Sequence, residues 1–395
     1  MGRKLRHVLV FLLIILKEPN MPDSLGNCKC ETFADCDCKP SSQHCRKGLT
    51  SIPQKLPTSI SLLDLRYNSI TCVKQSELLR YKNLSELCLN NNNITTIPSG
   101  TFANLSELQY LFLRRNQITT IHSGAFGNLP ELKRLSLRLN QITTIHSGAF
   151  TNLPKLQELP LEDNQITTIP SGTFANLPEL QNLFLQRNQI STIHSGAFTN
   201  LPQLQKLSLS YNQITTIHSG AFTNLPKLQE LSLEYSQITT IHSGTFANLP
   251  ELQYLFLRGN QITTIHSGAF RNLPELKKLY LRSNQITTID SGAFANLTQL
   301  QGLGLSVNQI AIFPFGTFAK LPHLQRLALD KNQITTIPSG IFANLPKLQK
   351  LELKYNQITT VHSGIFSNLP QLTILGLQAR ICSQFPPADR INTDS

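Results

Sequence analysis

Histidine is the residue type in this chain whose spacing most invites chemistry. Seven histidines are separated by multiples of 24 residues: His122, His146, His194, His218, His242, His266 and His362. A row of imidazoles suits metal binding or a pH-dependent switch. The same position holds proline at 98, 170 and 338, and no carboxylate or thiol repeats beside the histidines. We therefore interpret the row as framework at a turn and expect no metal site.

Catalysis needs a nucleophile, a base and an orienting acid that act together. The sequence shows no such set, because its histidines follow the 24-residue framework. We predict that the protein is not an enzyme and needs no cofactor.

The 24-residue step organises most of the chain. The run Asn116-Gln117-Ile118-Thr119-Thr120-Ile121 recurs almost unchanged, and its asparagine is kept from Asn68 to Asn356 with Ser236 as the one exception. A fixed period of this length predicts a solenoid, because one unit cannot bury its apolar face alone.

One unit, 108–131, has leucine at 108, 111 and 113, Asn116 and Ile118. This spacing resembles the leucine-rich repeat pattern L-x-x-L-x-L-x-x-N-x-L. The resemblance implies an α/β horseshoe of about 13 units, starting at 60, 84 and so on to 348, with a parallel sheet on its concave face. We expect the asparagines to form a hydrogen-bonded ladder, the repeated phenylalanines to fill the convex half of the core, and Ser236 to be a local weak point.

Variation between units concentrates at four positions that face outward from the predicted strand, namely 110, 112, 114 and 115 in this unit. Seven of the eight tyrosines lie there, although core packing does not need tyrosine at these positions. Drift on a solvated surface is the alternative, but Tyr and Arg dominate binding hot spots. We predict a binding face made of Tyr110, Phe112, Arg114, Arg115, Arg134, Arg138, Phe184, Arg187, Tyr211, Tyr235, Tyr254, Phe256, Arg258, Tyr280 and Arg282.

The chain carries 35 Lys and Arg against 23 Asp and Glu, a formal net charge of +12. Arg114, Arg115, Arg134 and Arg138 form the densest predicted basic patch, which could bind acidic glycans or nucleic acid. Glu158, Glu162, Asp163, Glu230 and Glu234 interrupt it, so we expect no continuous phosphate track and no nucleic-acid partner. Arg138 and Glu162 are expected to pair across adjacent strands.

A small-residue unit begins at Leu300. Its outward residues are Gly302, Gly304, Ser306 and Val307, which predict a dip in the concave face. Ile312 and Phe315 follow where other units have Thr and Ser, and they predict an apolar patch.

The first 26 residues read as a secretory signal, with basic residues before a short apolar run. We divide the chain into this signal (1–26), a cysteine-rich cap (27–59), repeats (60–371), and a partial last repeat with a polar tail (372–395). No segment predicts a membrane span. We expect a secreted, extracellular protein, glycosylated at Asn83, Asn93, Asn104 and Asn296, although the last two lie where most units have Asn and are also explained by chance.

The spacing Cys36-x-Cys38-x6-Cys45 resembles the N-terminal cap of secreted leucine-rich repeat proteins. The resemblance implies disulfides Cys30–Cys38 and Cys36–Cys45, with Cys28 left over. The cysteine spacing together with His44 leaves a zinc site as the alternative. No C-terminal cap is expected, and Cys382 has no nearby partner. We expect a monomer, with a truncated chain or association through the uncapped end as the alternatives. Cys88 lies at an outward strand position, and we interpret it as a free thiol.

Near-identical modules with variable outward positions resemble the variable lymphocyte receptors of jawless vertebrates. Toll-like receptor ectodomains and small leucine-rich proteoglycans are similar too. The resemblance implies recognition of a protein or glycan ligand, such as an antigen or a pathogen pattern, on the concave face. The alternative is an adhesion or matrix protein that binds a host protein or growth factor.

Overall fold

The structure is a computed structural model, and it describes residues 48–246, 248–362 and 364–378. The predicted signal, the cysteines from Cys28 to Cys45, and Cys382 lie outside these ranges. The described chain is a parallel-strand solenoid of about 13 turns of 24 residues. The predicted leucine-rich repeat solenoid is therefore confirmed.

One parallel sheet of fourteen three-residue strands runs along the solenoid. Each strand pairs with its counterpart 24 residues later, as Leu111 does with Leu135. The strands are Leu62–Asp64 (β1), Glu86–Cys88 (β2), Tyr110–Phe112 (β4), Arg134–Ser136 (β6), Glu158–Pro160 (β8), Asn182–Phe184 (β9), Lys206–Ser208 (β11), Glu230–Ser232 (β13), Tyr254–Phe256 (β14), Lys278–Tyr280 (β16), Gly302–Gly304 (β18), Arg326–Ala328 (β19), Lys350–Glu352 (β20) and Ile374–Gly376 (β21).

Short Thr-Ile strands form a second set beside the long sheet. They make one three-stranded and two two-stranded parallel sheets. These strands are Thr96–Ile97 (β3), Thr120–Ile121 (β5), Thr144–Ile145 (β7), Thr192–Ile193 (β10), Thr216–Ile217 (β12), Thr264–Ile265 (β15) and Thr288–Ile289 (β17).

Helix is nearly absent. The one helix among the described residues is the four-residue Gln75–Leu78 (α1). The returning half of each unit is instead a chain of turns. Gly124 and Asn128 both adopt positive φ there (67° and 63°) and Pro130 follows closely, which leaves no room for helical turns. The α part of the predicted α/β class is thus reduced to this single short helix.

The asparagine ladder is present. Asn116 donates from Nδ2 to the carbonyl oxygens of Leu89 (2.9 Å) and Leu113 (3.0 Å), and its Oδ1 accepts the Ile94 amide (3.0 Å). Buried backbone groups where the strand turns away are satisfied in this way. Twelve phenylalanines, from Phe102 to Phe366, stack in series behind the ladder with ring centroids about 6 Å apart, as Phe126 and Phe150 do at 6.1 Å.

The ladder has one defective rung, at Ser236. Its Oγ is buried and has no hydrogen-bond partner among the described residues. The Ile190 and Ile238 amides are accepted by Asn212 and Asn260, but the described residues offer the Ile214 amide no such acceptor. The expected weak point is therefore visible as unmade hydrogen bonds.

Candidate functional site

The candidate site is the sheet face, defined here as the outward side chains of the fourteen-stranded sheet and of the two variable positions that follow each strand. Every residue predicted to bind ligand lies on this face. The second of the two positions has a left-handed backbone in nearly every unit, including Arg187 (φ 57°), Tyr211 (56°) and Tyr235 (51°). Non-glycine residues rarely adopt this conformation, so the fold holds these side chains at some cost.

Four predicted residues from successive units form one stack. The rings of Tyr211 and Tyr235 are parallel with centroids 4.6 Å apart. The guanidinium of Arg187 lies 5.0 Å from the Tyr211 centroid, and that of Arg258 lies 5.2 Å from the Tyr235 centroid. Cation–π contacts thus brace both ends of an aromatic pair.

A glycine that sequence reasoning missed makes this stack possible. Gly259 occupies the position equivalent to Tyr235 one unit on, with φ 71°. A Cβ built there would lie 2.6 Å from Cδ1 of Tyr235, so the ring occupies the space that a side chain would need. The available signal was that Gly259 interrupts a series of large residues at this position.

A second aromatic row lies beside the stack. Tyr254 and Phe256 on β14 have centroids 6.4 Å apart, and Phe256 lies 5.5 Å from Tyr280 on β16. The ammonium of Lys278 is 5.4 Å from the Tyr254 centroid. Together with the stack, these side chains form what we call the aromatic zone: Arg187, Tyr211, Tyr235, Tyr254, Phe256, Arg258, Lys278 and Tyr280.

The predicted dip at β18 is filled. Gly302 and Gly304 are buried, and a Cβ built on Gly304 would lie 3.0 Å from Cδ1 of Tyr280. Gly304 therefore receives the ring of Tyr280, whereas a Cβ on Gly302 would lie 3.7 Å from Cγ of Lys278. Ile312 and Phe315 are 65% and 84% exposed, which agrees with the expected apolar patch.

Two of the four arginines of the predicted basic patch are paired with acids. Arg134 bonds Glu158 (2.7 Å), and Arg138 bonds Asp163 (3.0 Å) and lies 3.4 Å from Glu162. The expected Arg138–Glu162 pair is present, with Asp163 as the closer partner. We call Arg134, Arg138, Glu158, Glu162, Asp163 and Gln186 the charged zone.

Burial raises the pKa of two acids in the charged zone. Glu162 is only 8% exposed, and burial raises its pKa to about 7 against the opposing effects of its own backbone amide and Arg138. Burial also raises the pKa of Glu158, with Arg134 opposing it.

The other residues predicted to bind ligand belong to neither zone. Phe112 was expected to face outward, but it is 4% exposed and packs against Cys88 on the adjacent strand. Cys88 is small, so the Phe112 ring packs over it and is buried there. Tyr110, Arg115 and Arg282 are exposed, and Arg114 and Phe184 are half-buried.

The repeated histidines and the four sequons lie off the sheet face, whereas Cys88 is the last residue of β2. His122 and His146 stack at 5.4 Å, and His194 and His218 at 5.3 Å. Within the described ranges, no three His, Cys, Asp or Glu are grouped to hold a metal ion. Asn83, Asn93, Asn104 and Asn296 are all exposed. The interpretation of Cys88 as a free thiol was wrong, because it is disulfide-bonded, whereas Cys72 is a free cysteine among the described residues.

A long parallel solenoid with its large polar and aromatic side chains gathered on one sheet defines a class of repeat proteins that are typically non-enzymatic binders. Leucine-rich repeat profiles match in overlapping segments over residues 58–310 and 322–379. The chain belongs to the leucine-rich repeat family.

Three solved structures show what the chain is similar to. A Leptospira interrogans leucine-rich repeat protein is 32% identical with a TM-score of 0.65, and the match covers 83% of this chain and 81% of that one. A chain of the Toll–Spatzle complex, a hub in Drosophila development and innate immunity, is 25% identical with a TM-score of 0.68, covering 81% of this chain and 49% of that one. An internalin from Listeria monocytogenes is 25% identical with a TM-score of 0.55, covering 80% of each chain.

No curated protein matches the chain. Over the described ranges, no helix has the length and apolar character needed to cross a bilayer.

Proposed function

We propose that this protein is an extracellular recognition protein that binds a protein or glycan ligand, such as an antigen or pathogen pattern, on the sheet face. The observation that carries the proposal is the aromatic zone. Tyrosines and arginines from four successive units converge there, although the fold does not need them for its core.

The chemistry of the aromatic zone suits binding. Its rings are half-buried and already ordered by stacking, so little side-chain entropy remains to be lost on association. Their faces and edges offer apolar contact while the hydroxyl and guanidinium groups offer hydrogen bonds, which is the pattern of hot-spot residues.

Three further observations support the proposal. The similar structures include a Toll–Spatzle complex chain and an internalin. The four exposed sequons lie off the sheet face, so glycans attached there would leave it open. The predicted signal at 1–26 agrees with secretion.

The experiment is a binding screen of the secreted chain against glycans, microbial surfaces and host matrix proteins. Tyr235→Ala should lower the affinity for any hit at least ~30-fold, as expected for a central hot spot. His218→Ala is the matched control, because His218 is exposed and lies off the sheet face in the preceding unit. Equal loss in both variants, or none in Tyr235→Ala, would move recognition off the aromatic zone. Hits confined to host proteins would favour an adhesion role.

A further inference from the structure

Two acceptor atoms in the charged zone, on adjacent units, are buried without donors. Glu162 and Gln186 follow the adjacent strands β8 and β9 at equivalent positions, and the Asp163 amide bonds the Gln186 carbonyl (3.1 Å). Adjacent strands are about 4.8 Å apart, so the two side chains are neighbours. Oε2 of Glu162 and Oε1 of Gln186 have no hydrogen-bond partner among the described residues.

The nearby cations leave Oε2 of Glu162 without a donor. Arg138, on the preceding unit, lies closer to Asp163 (3.0 Å) than to Oε1 of Glu162 (3.4 Å). Arg134 is held by Glu158 at 2.7 Å. Arg187, on the following unit, lies over the Tyr211 ring. The charged zone itself holds two of these arginines and the three acids Glu158, Glu162 and Asp163, so it carries one net negative charge when all are ionised.

Leaving a buried carboxylate oxygen unbonded costs more than leaving a neutral group unbonded. A group that offers only donors fits a pair of acceptors best. A hydroxyl would bring lone pairs of its own that these two atoms cannot satisfy, whereas an ammonium has three donors and no acceptor.

We propose that Glu162 and Gln186 form a subsite of the sheet face for a lysine-type ammonium group of a protein ligand. This rests on the proposed function and narrows it, because it assigns the ligand a positively charged anchor. The ammonium donates to Oε2 of Glu162 and Oε1 of Gln186, and the aromatic zone two units away supplies the apolar contact.

The test uses N-acetyl-lysine methylamide as the probe and the full chain with 13C-labelled glutamate carboxyls. An NMR titration measures the pKa of Glu162 with and without the probe. Binding an ammonium favours the ionised carboxyl, so the pKa of Glu162 should fall from about 7 when the probe is present. The affinity should correspondingly fall about tenfold per pH unit below this pKa.

Two variants separate the subsite from general charge effects. Glu162→Gln should weaken the probe about tenfold or more, because it removes the charged acceptor. Glu234→Gln, at the equivalent position 72 residues on, should leave probe binding unchanged. The uncharged norleucine analogue of the probe should not shift the Glu162 titration.

An unshifted titration in the presence of the probe would overturn the proposal. Equal weakening by both Glu→Gln variants would also overturn it. Neither outcome depends on the natural ligand, so the Tyr235→Ala result judges the proposed function separately.

Discussion

The charged zone and the aromatic zone occupy one sheet and share one backbone, but their side chains are held by opposite means. In the charged zone, Arg134, Arg138 and their acids are fixed by ion pairs, and Glu162 is buried with an unbonded oxygen. In the aromatic zone, Tyr211 and Tyr235 are fixed by stacking and by the space above Gly259. A uniform framework therefore supports two kinds of prepared surface, one with buried unbonded charge and one with closely fitted rings.

The largest expected effect is in the charged zone, where Glu162→Gln should stabilise the protein at alkaline pH. The folded-state pKa of Glu162, about 7, exceeds its ordinary value of 4.5. The unfolded state therefore releases this proton first, and stability is lost as pH rises from 4.5 through 7. The variant should recover about 3 kcal/mol at pH 8 and gain nothing at pH 4.

Denaturant midpoints between pH 4 and 8 measure this effect. Glu251→Gln is the control, because Glu251 is exposed on the flank. A wild-type midpoint that does not fall over this range would show that Glu162 is not destabilising, and the contrast between the zones would be lost.

The second prediction concerns the fit of the aromatic zone. Gly259→Ala should destabilise the protein by about 2 kcal/mol, the sum of a strained left-handed alanine and a displaced Tyr235 ring. Near-ultraviolet circular dichroism should report the unstacking of Tyr211 and Tyr235.

The control is Ser283→Ala, at the equivalent position one unit later. Ser283 already has a Cβ at φ 57°, so this substitution should change the stability and the circular dichroism little. Equal losses of stability in both variants would show that the close approach of Tyr235 to Gly259 does not hold the aromatic stack in place.

The third prediction concerns the framework beneath the two zones. The charged zone stands over intact rungs such as Asn164, whereas the aromatic zone stands over the defective rung at Ser236. Ser236→Asn should stabilise the protein by about 1–2 kcal/mol by supplying an acceptor to the Ile214 amide and donors to nearby carbonyls.

Hydrogen exchange at the Ile214 amide is the local measurement, and protection should rise in Ser236→Asn. The reverse change, Asn212→Ser, should lower protection at Ile190, whose amide bonds Asn212 at 3.0 Å. Unchanged exchange at Ile214 would mean that the rung is not a weak point.

The sequence was sufficient to predict the framework because the same residue spacing recurs in every unit. Thirteen near-copies of the same leucine, asparagine and phenylalanine spacing leave one consistent packing, and even the failure at Ser236 was foreseeable from its shorter side chain. The near absence of helix was less evident, since it depends on the positive φ of Gly124 and its equivalents in the other return segments, which Asn128 and several of its equivalents share.

The details of the site needed coordinates, because they depend on which way long side chains lean. Register placed Arg138 beside Glu162, but it could not show that Asp163 is the closer partner or that Glu162 is buried. Phe112 occupies an outward position and is nonetheless covered. Gly302 and Gly304 predicted a dip, but Tyr280 on the neighbouring strand occupies it. Each outcome is set by the neighbour's side chain, which a pattern within one unit does not contain.

The smallest expected effect tests whether ion pairs in the charged zone stabilise the fold. Arg134 and Glu158 are each about one-quarter exposed and bond at 2.7 Å. Solvent screens such a pair, so Arg134→Ala should cost only about 0.5 kcal/mol, and 0.5 M salt should reduce that cost further. A double-mutant cycle with Glu158→Ala measures the coupling. A coupling energy above ~2 kcal/mol would show that the charged zone is held as firmly as the aromatic one, and its arginines would then be framework rather than groups available to a ligand.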